Sequence, residues 1–99
     1  MTVKLLMSWD IRPGQEKTYF DFVMQTFAPG LIKLGLQPTE AWYTLFGDAP
    51  QILTGGVTDS VSKMQNILDS PEWESLLDSL LEYVINFAYK VVPATGRFQ

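Results

Sequence analysis

The stretch from Ala41 to Val57, AWYTLFGDAPQILTGGV, decides how the rest of the chain must be read. It alternates as β-structure does, and GDAP supplies a turn between a strand from about Thr39 to Phe46 and another from Gln51 to Thr58. Side chains on a strand point alternately to opposite sides, so Ala41, Tyr43 and Leu45 share one face while Trp42 and Phe46 share the other. Both faces are therefore apolar. An antiparallel hairpin in a small protein commonly gives one face to water, so the second face of this hairpin needs a cover that the hairpin itself does not supply.

Outward from the hairpin, VKLLMSWDI begins at Val3 and is closed by Arg12, Pro13 and Gly14, which makes it a short strand. Its odd positions, Val3, Leu5, Met7 and Trp9, form the more apolar face, and Lys4, Leu6, Ser8 and Asp10 form the other. QEKTYFDFVMQTF then places Phe20, Val23, Met24 and Phe27 at helical spacing, with Tyr19 on the flank and Glu16, Lys17, Asp21 and Gln25 largely opposite. Pro29 is expected to interrupt this helix or to begin a second short turn. Gly35 stands where a left-handed cap would end it, with Leu36 folding back on the last turn.

Beyond the hairpin, Asp59 or Ser60 can cap a helix through SVSKMQNILD, and SPEWE reads as a fresh start with Ser70 as N-cap and Pro71 in the first helical position. The stripe Trp73, Leu76, Leu77, Leu80, Leu81 and Val84 is the strongest helical signal in the chain. FAYKVV closes the pattern as a strand ended by Pro93, and the tail ATGRFQ is either ordered or docked on a partner. The order βαββαβ contains two βαβ units, and right-handed crossovers place both helices on one side of a four-stranded antiparallel sheet. That is an α+β, ferredoxin-like arrangement with the first and third strands central, formed by one domain over residues 1–99.

We assign the odd positions of all four strands to the helix-covered face. The other face would then carry Leu6, Trp42, Phe46, Ile52, Ala88 and Val92, with Lys90 among them, and monomers seldom leave so large an apolar patch bare. A second copy is the simplest cover, since a two-fold interface asks only that one patch be complementary to itself. Composition agrees: hydrophobic residues make up 46% of the chain and charged residues only 18%, too little polar surface for a small monomer. The net charge of −4 and the scattered Lys and Arg argue against nucleic acid and against an anionic membrane. No apolar run approaches the ~18 residues of a membrane span, and the N-terminus lacks the pattern of a signal peptide, so a cytoplasmic location is expected.

IRPGQEKTYFDF, AWYTLFGDAPQILTGG, DSPEWESL and YKVVPATGRFQ together carry a resemblance to the dimeric α/β-barrel superfamily, in which two ferredoxin-like subunits pack their sheets together. The resemblance is closest in texture to NIPSNAP-like proteins with no settled activity. It implies a homodimer with a cavity in each subunit between sheet and helices, and relatives include cofactor-independent oxygenases, haem-degrading oxygenases, isomerases and ligand-sensing domains. The absence of His weakens the haem branch, and no catalytic set of another branch maps onto this chain.

The chain contains neither His nor Cys, so catalysis would lean on Tyr, Asp or Glu, and neither a metal site nor a cofactor is expected. Trp9, Tyr43 and Tyr89 on the covered face, with Tyr19 reaching in and Gly55 leaving room, would make an apolar pocket with a few hydroxyls, suited to a small apolar or aromatic molecule. The same rings read equally as core residues. Arg12, in the loop before the first helix, could hold an anion by a forked hydrogen bond or stand as a solvated residue. Asp10 and Lys90 are expected to pair across neighbouring strands. Two readings stay open: a ligand-binding homodimer acting as an oxygenase or isomerase, and a non-catalytic dimeric interaction or sensing module.

Overall fold

A computed structural model describes residues 1–94 of the chain, so most of the tail considered above lies outside the described residues. Strands β1 (Val3–Ile11), β2 (Gln37–Tyr43), β3 (Ile52–Thr58) and β4 (Val84–Pro93) form one antiparallel sheet in the order β2-β3-β1-β4. Helices α1 (Glu16–Phe22) and α2 (Ala28–Leu34) are joined by a wide π-helical turn, Val23–Phe27, and α3 (Val61–Leu68) and α4 (Pro71–Leu80) fill the second crossover. The fold is α+β and ferredoxin-like, with β1 and β3 central as the topology requires.

The core lies between the sheet and the helices. Val3, Leu5, Met7, Trp9 and Ile11 all point into it from β1, and Phe27, Leu31, Met64, Trp73 and Leu80 meet them from above. The helix ends follow local chemistry. The Ser60 and Ser70 hydroxyls accept the backbone N–H groups of Lys63 and Trp73, and Pro71 opens α4 where a missing N–H costs nothing. Gly35 ends α2 with φ of 99°, while Leu36 N–H donates back to the Leu31 carbonyl.

Pro29 stands in the first turn of α2, so a second short helical segment begins there, one of the two expected alternatives. It has no N–H to give the Gln25 carbonyl, and the wide turn immediately before it absorbs the mismatch, with Ala28 N–H reaching the Val23 carbonyl. The extra residue also resets the buried stripe. At about 100° per residue, twelve residues of α-helix would carry Leu31 roughly 120° away from Tyr19, whereas one residue absorbed in the turn leaves about 20°. Tyr19, Phe27 and Leu31 are accordingly buried, and Phe20 and Met24, expected in the stripe, are exposed. Gly30 sits on the opposite contact: a Cβ there would lie 2.9 Å from a Leu76 methyl, so the glycine sets how closely α2 approaches α4.

Two boundaries differ from expectation. Val84 belongs to β4, not to the preceding helical stripe, and β2 ends at Tyr43, which leaves Phe46 in the connecting loop and 92% exposed.

Candidate functional site

Among the described residues, the aromatic side chains expected to line a pocket pack against one another and their neighbours. On the covered face the Trp9 indole N–H donates to the Tyr19 hydroxyl at 2.9 Å, and both side chains are buried. Phe27 meets Trp9 edge-on at 5.8 Å and Phe87 stacks on it at 6.0 Å. Phe20 lies 5.0 Å from Tyr19 and stacks on Tyr43, while Phe87 leads to Tyr89. Tyr43, Phe20, Tyr19, Trp9, Phe87 and Tyr89 are thus linked ring to ring across the covered face, where the sequence suggested a cavity. Packing uses the space: each such contact contributes about 0.5–1.5 kcal/mol beyond area burial. Burial pushes the Tyr19 pKa up against the opposing pull of the Trp9 hydrogen bond, with a smaller upward contribution from Tyr43, so its hydroxyl stays protonated at neutral pH. The free ends of the array, Tyr43 and Tyr89, stand about half exposed at opposite edges of the sheet.

Arg12 has a local role. Its guanidinium donates to the Leu81 carbonyl at 3.1 Å and its backbone N–H to the Tyr83 carbonyl at 2.9 Å, so it ties the end of β1 to the carboxyl end of α4, where a cation is favoured.

Gly55 lies on the other side of the sheet. The register pairs Leu5 with Gly56 and Leu6 with Gly55, so odd positions of β1 share a face with even positions of β3. The assignment of β3 is therefore reversed: Ile52, expected on the bare face, is 7% exposed beneath the helices, and Leu53 is 42% exposed on the open side. The reversal follows from the register, because Ile52 and Leu53 are both apolar and a one-residue slip exchanges the faces. For β2 and β4 the expected faces hold, with Trp42 opposite Leu53, Lys90 opposite Leu6 and Val92 opposite Lys4.

The open face is built from Leu6, Trp42, Leu53, Val57, Ala88 and Val92, with Lys4, Asp10, Glu40 and Lys90 as its charged groups. Trp42 is 64% exposed. Between Leu6, Ser8, Leu53, Ala88 and Lys90 the surface dips into a mainly apolar depression of about 290 Å³, bordered also by Met7 and Tyr89. Beside it lies a feature the sequence reading missed. Lys4 is only 1% exposed, and its ammonium donates to the Glu40 carboxylate across the full width of β3. Thr39 and Glu40 both oppose Gly55 in a β-bulge, and a Cβ on Gly55 would lie 2.9 Å from Lys4 Cε and 2.9 Å from Thr39 Oγ1. Gly55 is thus the channel for the lysine stem, and the Lys4 hydrogen bond, more than offsetting desolvation, holds the Glu40 carboxyl below its usual pKa. The traceable signal was a lone Lys inside VKLLM matched to a lone acid in TEAW.

Asp10 does not pair with Lys90. Its carboxylate accepts from Asn86 Nδ2 at 2.9 Å and from the Gln51 backbone N–H at 2.8 Å, and these bonds hold its pKa down against desolvation. Asn86 takes a left-handed φ of 58° next to the bulge between β1 and β4, which turns its amide toward Asp10. Gln51 Oε1 in turn accepts from Ile11 N–H at 2.8 Å, so one polar cluster pins three strands at this end of the sheet. Among the described residues no group of three or more Asp, Glu, His or Cys is placed to hold a metal ion, and no helix is long and apolar enough to cross a membrane.

No family model matches this sequence, and no curated protein matches it in sequence. The fold does match solved structures. A NIPSNAP family protein from Agrobacterium tumefaciens aligns over 98% of this chain and 96% of its own, with a TM-score of 0.71 and 12% identity. An ethyl tert-butyl ether d (ethd) family protein from Bacillus halodurans aligns over 94% of this chain and 98% of its own, with a TM-score of 0.75 and 14% identity. A dimeric protein of unknown function with a ferredoxin-like fold, from Bacteroides fragilis, aligns over 92% and 94% with a TM-score of 0.62 and 16% identity. The resemblance to NIPSNAP-like proteins is thus present in the fold, over nearly the whole chain.

Proposed function

We propose that this protein is a homodimeric α/β-barrel module in which the open sheet faces of two copies meet, serving interaction or ligand sensing without catalysis. The observation that carries this reading is the open face itself: Leu6, Trp42, Leu53, Val57 and Val92 form an apolar surface on the side of the sheet away from the helices, with no element of the described residues packed above it. Four strands about 4.8 Å apart and seven residues long at about 3.3 Å cover roughly 400 Å² in projection, the scale at which apolar patches mark an interface. The dimeric ferredoxin-like protein from Bacteroides fragilis supports the same assembly by likeness of fold. A cytoplasmic location, expected from the sequence, goes with this reading.

Against an oxygenase or isomerase stands the scatter of its candidate groups: Tyr19 is committed to Trp9, Tyr43 and Tyr89 emerge at opposite edges, and Arg12 is committed to Leu81. A second reading, a small apolar or aromatic molecule held between the two sheets, is favoured by the depression at Leu6, Leu53 and Ala88, which a facing copy would roof over.

Native mass spectrometry followed by the denatured mass tests both. We expect a dimer without added mass. A dimer carrying a small mass that is lost on denaturation would select the second reading, and a monomer at micromolar concentration would break both. Trp42→Glu should give a folded monomer, because it replaces the largest exposed ring of the patch, on β2, with a charge while leaving the covered core untouched.

A further inference from the structure

The charged groups of the open face are arranged so that they choose how two copies meet. Leu6 pairs with Gly55 on one side and Lys90 on the other, and Glu40 lies in the bulge opposite Gly55. Glu40, Gly55, Leu6 and Lys90 therefore form one row running from edge to edge of the sheet. The contact of Glu40 with Lys4 above Gly55 places its carboxylate on the open side. The row has an acid at the β2 edge and an amine at the β4 edge, three strand spacings or about 14 Å apart.

The other charges on this face are already used. Lys4 is buried against Glu40, and Asp10 is held by Asn86 and Gln51. Lys90 makes no hydrogen bond or ion pair among the described residues, and the Glu40 side chain remains 39% exposed beside its contact with Lys4.

Two aligned sheets can be stacked face to face by a two-fold axis that runs along the strands or across them. Across the strands, each edge meets its own copy, so Glu40 approaches Glu40 and Lys90 approaches Lys90. Along the strands, the β2 edge of one copy meets the β4 edge of the other, and Glu40 and Lys90 arrive at the same height at both ends of the row. We propose that the dimer axis runs along the strands and that Glu40 of each copy pairs with Lys90 of the other. This rests on the homodimer reading above and adds to it the direction of the axis and the pair that selects it. A charge pair of this kind acts on specificity and register, since the wrong orientation brings like charges together twice.

Zero-length carbodiimide coupling of the native chain, followed by peptide mapping, tests the proposal. The Glu40 and Lys90 backbones lie about 14 Å apart within one copy, more than the two extended side chains and an amide bond together span, so an amide joining Glu40 to Lys90 must cross between copies. We expect that link in the covalent dimer, and a Glu40 to Lys4 link within single copies as proof that Glu40 was activated. Lys90→Glu should raise the dimer dissociation constant by about tenfold or more with unchanged far-ultraviolet circular dichroism, whereas Lys17→Glu on α1 should not. A dimer that lacks the Glu40 to Lys90 link, or that is indifferent to Lys90→Glu, overturns the pairing and leaves the homodimer intact. A monomer before any coupling, with the face left to another partner, overturns both.

Discussion

Leu5 and Leu6 are adjacent on β1, carry the same side chain and have opposite surroundings. Leu5 is completely buried among the helices, while Leu6 borders an uncovered depression on the far side of the sheet. The two faces that these residues represent are similarly apolar, yet they solve polar satisfaction differently. The covered face places a buried side-chain hydrogen bond, Trp9 to Tyr19, inside an aromatic array. The open face keeps its charges other than Lys90 in compensated clusters, at Lys4 with Glu40 and at Asp10 with Asn86 and Gln51. Apolar character alone therefore does not distinguish a core from an interface. What lies above the face does.

Leu5→Ala sets the largest contrast. It should cost about 2–5 kcal/mol of unfolding free energy through lost transfer energy and a cavity, read from denaturant melts. Leu6→Ala should cost under about 1 kcal/mol in the monomer and act chiefly on dimer dissociation, read by dilution. Equal losses for both variants in a demonstrated monomer would erase the distinction between the faces.

Gly55→Ala sharpens the account of the open face. Alanine gains slightly in strand entropy, but its Cβ would meet Lys4 Cε, Thr39 Oγ1 and, at 3.2 Å, the Leu5 carbonyl oxygen, which cannot move without shifting the sheet. Overpacking should win, at about 1–3 kcal/mol. A neutral or stabilising result would mean that the lysine stem does not run above Gly55.

The smallest effect expected is that of Asp10→Asn, about 1 kcal/mol at neutral pH after solvent screening, since the variant keeps one acceptor for Gln51. Its pH dependence is more telling. The folded pKa of Asp10 is depressed, so its contribution is complete above the unfolded value near about 3.9 and is lost as pH falls through the folded value. The stability gap between parent and variant should thus be constant above about pH 5 and close in more acid solution. A gap that does not narrow as the pH falls below about 3.9 would assign the difference to shape and not to charge.

Much of this fold was legible because local chemistry is decisive at element ends. Ser60, Ser70, Pro71 and Gly35 perform their capping roles where the sequence placed them, and the odd, apolar face of β1 is buried throughout as its pattern requires. The first long helix was less legible, because its stripe depends on one wide turn that adds a residue without changing composition. The face of β3 was not legible at all: QILTGGVT offers apolar groups at both parities. The packing of the candidate pocket residues was hidden for a related reason. Three of them shared a face, but neighbouring Phe20, Phe27 and Phe87 fill the space between them.

By itself the sequence determined the element order, the crossover topology and the excess of apolar surface that calls for a second cover. These follow from periodicity, from turn residues and from the right-handed crossover, all of which act over a few residues at a time. Only the tertiary structure decided which side of β3 faces the helices, that Lys4 reaches Glu40 above a glycine, and that Glu40 and Lys90 end one row. Register is the reason: a shift of one residue between strands leaves every local preference satisfied and exchanges the two faces of the sheet.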